Sequence, residues 1–214
     1  PSIEFSYGQS DISLKNSEIY FTQYGTLNLK LGWHHEMKTS NKSIVKYRSN
    51  FISGSYSTSG LRLSNATNSA PVTLSFGIGS ADGYGYKLWK KSSLVLYNSS
   101  VMTWTRYDKG NYTYTFEFTG PRFDKSDDFN KSLRFGSSAE GGIIIPLGEM
   151  LNLQASYDRT IVFPRHMVWM HIGSALIEAA GQSLIDGFVS AINKTSPFAG
   201  PIVSFVLKNG LSYG

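Results

Sequence analysis

The stretch Gly25-Thr26-Leu27-Asn28-Leu29-Lys30-Leu31-Gly32-Trp33 sets Leu27, Leu29, Leu31 and Trp33 against Thr26, Asn28, Lys30 and Gly32 in strict alternation. Successive side chains of a strand point to opposite faces, so this stretch predicts a strand with one apolar and one polar face. The same period recurs at Val72, Leu74, Phe76 and Ile78, at Tyr112, Tyr114, Phe116 and Phe118, and at Leu151, Leu153, Ala155 and Tyr157. Less regular strands are predicted at 19–24, 44–58, 94–107 and 141–147, with turn-forming runs such as Thr39 to Lys42, Ser64 to Ser69 and Asp124 to Asn130 between them. That makes about eight strands before about residue 163, joined in sequence as hairpins, because no helical pattern separates them to build a parallel crossover.

Composition agrees with a β-rich chain. Of 214 residues, 14% are aromatic and only 16% are charged, against about 25% charged in an ordinary soluble domain. Coiled coils, helical bundles and disordered tails are excluded on that balance. The chain has no cysteine, which excludes a disulfide framework, a thiolate metal site and a cysteine nucleophile. The net charge of +5 comes from scattered rather than clustered lysines. It suits anionic lipid headgroups, and no nucleic-acid-binding motif accompanies it. The sequence opens at Pro1 with no charged-then-apolar leader ahead of it, so any targeting segment is expected to have been removed or to lie outside this sequence.

Which medium meets the apolar faces decides the class. The polar faces carry Thr, Ser, Asn, Gln and Gly with few charges, and Trp33, Trp89, Trp104, Tyr107 and Tyr157 fall at strand ends. That pattern predicts an antiparallel up-and-down transmembrane β-barrel of about eight or more strands, apolar outward, with an aromatic interface belt. A soluble lipocalin-like binding protein, with the apolar faces turned inward, is the alternative the alternation leaves open.

After Pro164 the period changes to about 3.6. Met167 through Ile192 predicts one helix of about 26 residues, about 39 Å long. It is apolar nearly all round apart from a polar seam, His171, Ser174, Glu178, Gln182 and Asp186, continuing to Ser190 and Asn193 at steps of three or four. The seam is expected to contact a partner or the barrel lumen. Ser196-Pro197 reads as a stop and restart. A second apolar stretch, Phe198 to Leu207, closes at Asn209-Gly210, with Gly200-Pro201 open to an extended reading instead. The chain thus divides into barrel strands over 1–163 and an apolar α-helical hairpin over 164–214 of the same domain. An eight-stranded barrel is filled by its own side chains, so the hairpin packs on the barrel or caps it.

Over 141–214 the segments Tyr157-Asp158-Arg159-Thr160-Ile161-Val162-Phe163-Pro164-Arg165-His166, Ile177-Glu178-Ala179-Ala180-Gly181-Gln182 and Ser196-Pro197-Phe198-Ala199-Gly200-Pro201-Ile202-Val203 are similar to a family of uncharacterised outer-membrane-type proteins of Bacteroidetes. The resemblance implies a location in the bacterial outer membrane and no assigned activity. Members of that family continue to an aromatic-ended strand, which implies a closing strand beyond Leu211-Ser212-Tyr213-Gly214.

Candidate chemistry is sparse. His34 and Glu36 share one strand face while His35 takes the other. With a nearby serine they could run hydrolysis or acyl transfer on lipid, yet no nucleophile signature such as G-x-S-x-G accompanies them. The bland reading is a polar strand end at the barrel mouth. His166 and His171 are five apart and share no helical face, so no metal site is expected. The glycine-rich run Phe76 to Tyr86 is followed by no helix, so it reads as a strand bend rather than a phosphate loop. Six N-x-S/T triplets are what a chain rich in these residues produces by chance. No cofactor is expected. The partners expected are membrane lipid and other outer-membrane or periplasmic proteins, for a non-catalytic structural or assembly subunit or a narrow pore.

Overall fold

A computed structural model describes residues 1–11, 24–39, 41–61, 72–89, 92–108, 131–147, 151–163 and 168–213. Seven strands follow one another, β1 (Ser2–Ser10), β2 (Tyr24–Lys38), β3 (Ile44–Thr58), β4 (Val72–Trp89), β5 (Ser92–Asp108), β6 (Leu133–Pro146) and β7 (Asn152–Val162), and then two helices, α1 (Val168–Thr195) and α2 (Ala199–Tyr213). Each strand pairs antiparallel with the next in one meander, curled into a half-barrel whose edges are β1 and β7.

The expected closed barrel of about eight strands is therefore met in part. The runs expected at Tyr112 to Phe118 and at 19–23 lie outside the described residues. One strand, β1, was not expected, although Ile3, Phe5 and Tyr7 alternate against Ser2, Glu4 and Ser6.

Register fixes which residues share a face. Across one face the rows read Ile3, Leu31, Ile52, Ile78, Met102, then Phe5, Leu29, Gly54, Phe76, Trp104, Phe135, then Tyr7, Leu27, Tyr56, Leu74, Arg106, Leu133. Of these, Ile3 is 79% exposed, and Phe5, Leu29, Leu31, Ile52, Tyr56, Leu74, Phe76 and Ile78 are exposed as well. Phe76 stacks on Trp104 with ring centres 5.3 Å apart, and Phe135 meets Trp104 edge-on at 5.7 Å.

The other face is concave, and one contact proves it. Lys30 Nζ on β2 lies 2.7 Å from Glu140 Oε2 on β6, four strand spacings away, about 19 Å across a flat sheet. Only a sheet curled toward this face brings them together. The hollow is filled by side chains: Phe51, Ala81, Val95, Tyr97, Val101 and Ile144 form a buried cluster there. β4 makes room by presenting glycine. A Cβ on Gly77 would sit 2.7 Å from Val101 Cγ1.

The helical hairpin packs on the convex face, α2 lying against β4, β5 and β6 and α1 against α2. α1 and α2 match the two expected helices, and the extended alternative from Ile202 is excluded. Pro201 sits in the first turn of α2, where its missing N–H costs no intrahelical bond. α2 runs past Asn209-Gly210 to Tyr213 because the buried Asn209 side chain bonds to strand β5 instead of ending the helix. No described helix is long and apolar enough to cross a membrane, which says nothing about crossing by strands.

Candidate functional site

Two charged clusters lie on opposite sides of the sheet. On the concave side Lys30 donates to Glu140 and also lies 3.2 Å from Glu4. The Tyr97 hydroxyl donates to Glu140 Oε1 at 2.7 Å, and Gln154 Nε2 donates to the Tyr97 oxygen at 2.6 Å. Four strands thus meet around one buried carboxylate. Lys30, Tyr97, Gln154 and Glu140 are each held by another, so this cluster binds the hollow together.

On the convex side Lys208 of α2 is 2% exposed. Its ammonium donates to Asp82 of β4 and lies 2.6 Å from Asp186 of α1. Lys46 of β3 donates to Asp186 Oδ2 at 2.9 Å. Two lysines and two aspartates close into a network without net charge. Burial pushes the Asp186 carboxyl up, but the Lys208 and Lys46 ammonium groups outweigh it and hold the group below the ordinary carboxylate range. Beside the network, Asn98 Nδ2 donates to Asn209 Oδ1 at 3.1 Å and Gln182 Nε2 donates to Ser212 Oγ at 3.1 Å. The Tyr213 hydroxyl donates to the carbonyls of Ala139 and Tyr157.

The polar seam of α1 therefore points inward at Gln182 and Asp186, toward α2 and the sheet. The side chains of His171, Ser174 and Glu178 lie outside the described residues. Large apolar side chains face outward from the hairpin, including Ile177 at 76%, Leu184 at 77% and Phe198 at 81% exposure.

Of the expected belt, Trp33 and Tyr157 are exposed on the convex face and Trp104 lies within its apolar rows. Tyr107 pairs with Thr73 on the opposite, concave face. The Trp89 side chain lies outside the described residues.

His34 and Glu36 do share a face, the concave one, and both are exposed. The His34 ring stacks on Tyr47 at 6.4 Å. Its cross-strand neighbour is Ser49, which is buried. Among the described residues no hydrogen bond joins His34 to Ser49, so no base-and-nucleophile pair is assembled. Nor do the described residues contain a group of three or more His, Cys, Asp or Glu placed to hold a metal ion.

Sequence reading missed Glu140, Asp82 and Lys208. Lys208 offered a signal, a lone cation beside the apolar run Phe198 to Leu207. Glu140, between Ala139 and Gly141 and the one acidic residue of β6, offered another. The chain matches no known protein family, no curated protein and no solved structure.

Proposed function

We propose that this chain is part of a bacterial outer-membrane β-barrel that works without catalysis, as a structural or assembly subunit of an envelope complex. The observation that carries the proposal is the polarity of the sheet. Three rows of large apolar side chains cover the convex face, while the concave face carries the Lys30 and Glu140 pair amid a packed filling. A soluble carrier needs a charged exterior; a lipid-facing barrel needs an apolar one.

The filled hollow favours a structural role over a pore, as in small barrels plugged by their own side chains. The edges favour an assembly. Among the described residues β1 and β7 are paired on one side only, and with seven antiparallel strands they run in the same direction. Hydrocarbon does not tolerate open edges. Antiparallel closure then takes an odd number of further strands.

The test is fractionation of native cells after cross-linking and before detergent. The chain is expected in the outer-membrane fraction, cross-linked to other envelope proteins. Recovery in the soluble fraction without detergent would overturn the proposal.

A further inference from the structure

The hairpin is apolar on its outer side as well as where it meets the sheet. On α1 the exposed Ile177, Leu184 and Phe188 stand at i, i+7 and i+11; Phe198, just before α2, and Ile202 and Val206 on it, all exposed, stand at i, i+4 and i+8. Each set is a single stripe along its helix. The polar groups lie on the other side, where Asp186 and Lys208 close on Lys46 and Asp82, and Gln182 reaches Ser212. Among the described side chains the exposed positions between these outward residues are small or uncharged, among them Gly173, Ala180, Ser183 and Gly187; Lys194, an exposed charge, stands in the last turn of α1.

A helix lying on a domain in water shows its charges outward and its apolar stripe to the core. Here the inner side carries an apolar contact, Val189, Ile185 and Val203 against Ile44, Tyr84 and Tyr86, together with the charges of Asp186 and Lys208, while the outer stripes are apolar as well; a helix apolar on both sides lies in protein or in lipid. Sinking Lys208 to 2% exposure is tolerable only because two carboxylates surround it. The same convex side of the sheet carries the apolar rows through Ile52, Ile78 and Met102, so the hairpin continues an apolar exterior. Yet no described helix is apolar enough to cross a membrane by itself.

We infer that the outward face of the α1–α2 hairpin is a lipid-binding surface: the hairpin is seated on the convex face by its polar seam and buries its outer stripes among acyl chains without crossing the bilayer. This rests on the membrane reading of the sheet. The neutral Lys46, Asp186, Lys208 and Asp82 network is what makes it possible, since the hairpin shields those charges from hydrocarbon and they neutralise one another.

The chain has no cysteine, so single spin labels can be placed in the full chain by Leu184→Cys, Val206→Cys, Ile78→Cys and Lys194→Cys. All four positions are exposed, so the substitutions leave the packing intact. In vesicles of phosphatidylethanolamine and phosphatidylglycerol, collision rates with apolar oxygen and with a water-soluble nickel chelate are compared. Labels at 184 and 206 are expected to favour oxygen several-fold over the label at 194, matching the label at 78. If 78 favours oxygen while 184 and 206 favour nickel, the hairpin lies in water, and the inference fails while the membrane reading stands. If 184 and 206 are shielded from both reagents, a protein or a second copy covers the hairpin, and the inference fails equally. If 78 itself favours nickel, the membrane reading falls and the inference falls with it.

Discussion

Lys30 and Glu140, 110 residues apart in sequence, meet at 2.7 Å across the hollow of the half-barrel. The side chains are 15% and 8% exposed, so removing one partner strands a buried charge. Lys30→Met is expected to cost about 3–5 kcal/mol, and pairing it with Glu140→Leu to recover much of that loss. Urea unfolding of the four variants in detergent micelles, read as a double-mutant cycle, checks it. Additive losses would mean that the contact does not join the first strands to the last.

Lys208 has the same role for the hairpin. Lys208→Met removes the ammonium that Asp82 and Asp186 share across the helix-to-sheet contact, leaving Lys46 paired with Asp186. The carboxylates are 25% and 21% exposed, which places the loss toward the lower end of the range for broken buried pairs, about 3 kcal/mol. The expected readout is faster proteolysis within α2 while the sheet keeps its protection. Asp186→Asn should be milder, because Lys208 retains Asp82.

The pH dependence of docking follows from Asp186. Its folded carboxyl is held below the ordinary range, so its contribution is fully present above the unfolded value of about 3.9 and is lost as pH falls through the lower folded value. Hairpin protection should stay flat from neutral pH to about 5 and decline below about 4, the region where carboxylates begin to protonate. Hydrogen exchange of α2 amides across that window measures it. Asp186→Asn should make the α2 decline shallower.

Most of the strands and both helices were legible because each rests on local period. Val72 to Ile78 and Leu27 to Trp33 alternate cleanly, and the switch to a 3.6 period after Pro164 announced α1. β1 was equally readable at Ile3, Phe5 and Tyr7, but three apolar residues with Glu4 among them make a weak run. The charged clusters were not legible. Lys30 finds Glu140 only because the sheet curls, and Lys208 finds Asp82 only because α2 returns over β4; neither pairing has a spacing in sequence. Asn209-Gly210 looked like a helix end because Asn often occupies that position. A tertiary bond to Asn98 overrode the local preference. The seam on α1 was seen as a face, but its target, α2 and Lys46, lies in the fold.

Two glycines separate packing from propensity. A Cβ added at Gly141 of β6 would sit 2.3 Å from Asn209 Oδ1, the oxygen that accepts from Asn98, whereas a Cβ at Gly173 of α1 meets nothing within 4 Å. Asn209 cannot swing aside freely, since its Nδ2 also donates to the Phe205 carbonyl at 2.8 Å. Gly141→Ala should therefore destabilise the docked hairpin by about 1–3 kcal/mol, the usual cost of overpacking. Gly173→Ala should instead stabilise α1 by about 1 kcal/mol through helix propensity alone. Proteolysis of the hairpin at fixed protease concentration distinguishes them: the first variant should be cut faster than the parent and the second more slowly. Equal rates for Gly141→Ala and the parent would mean that α2 does not rest on β6 at Asn209.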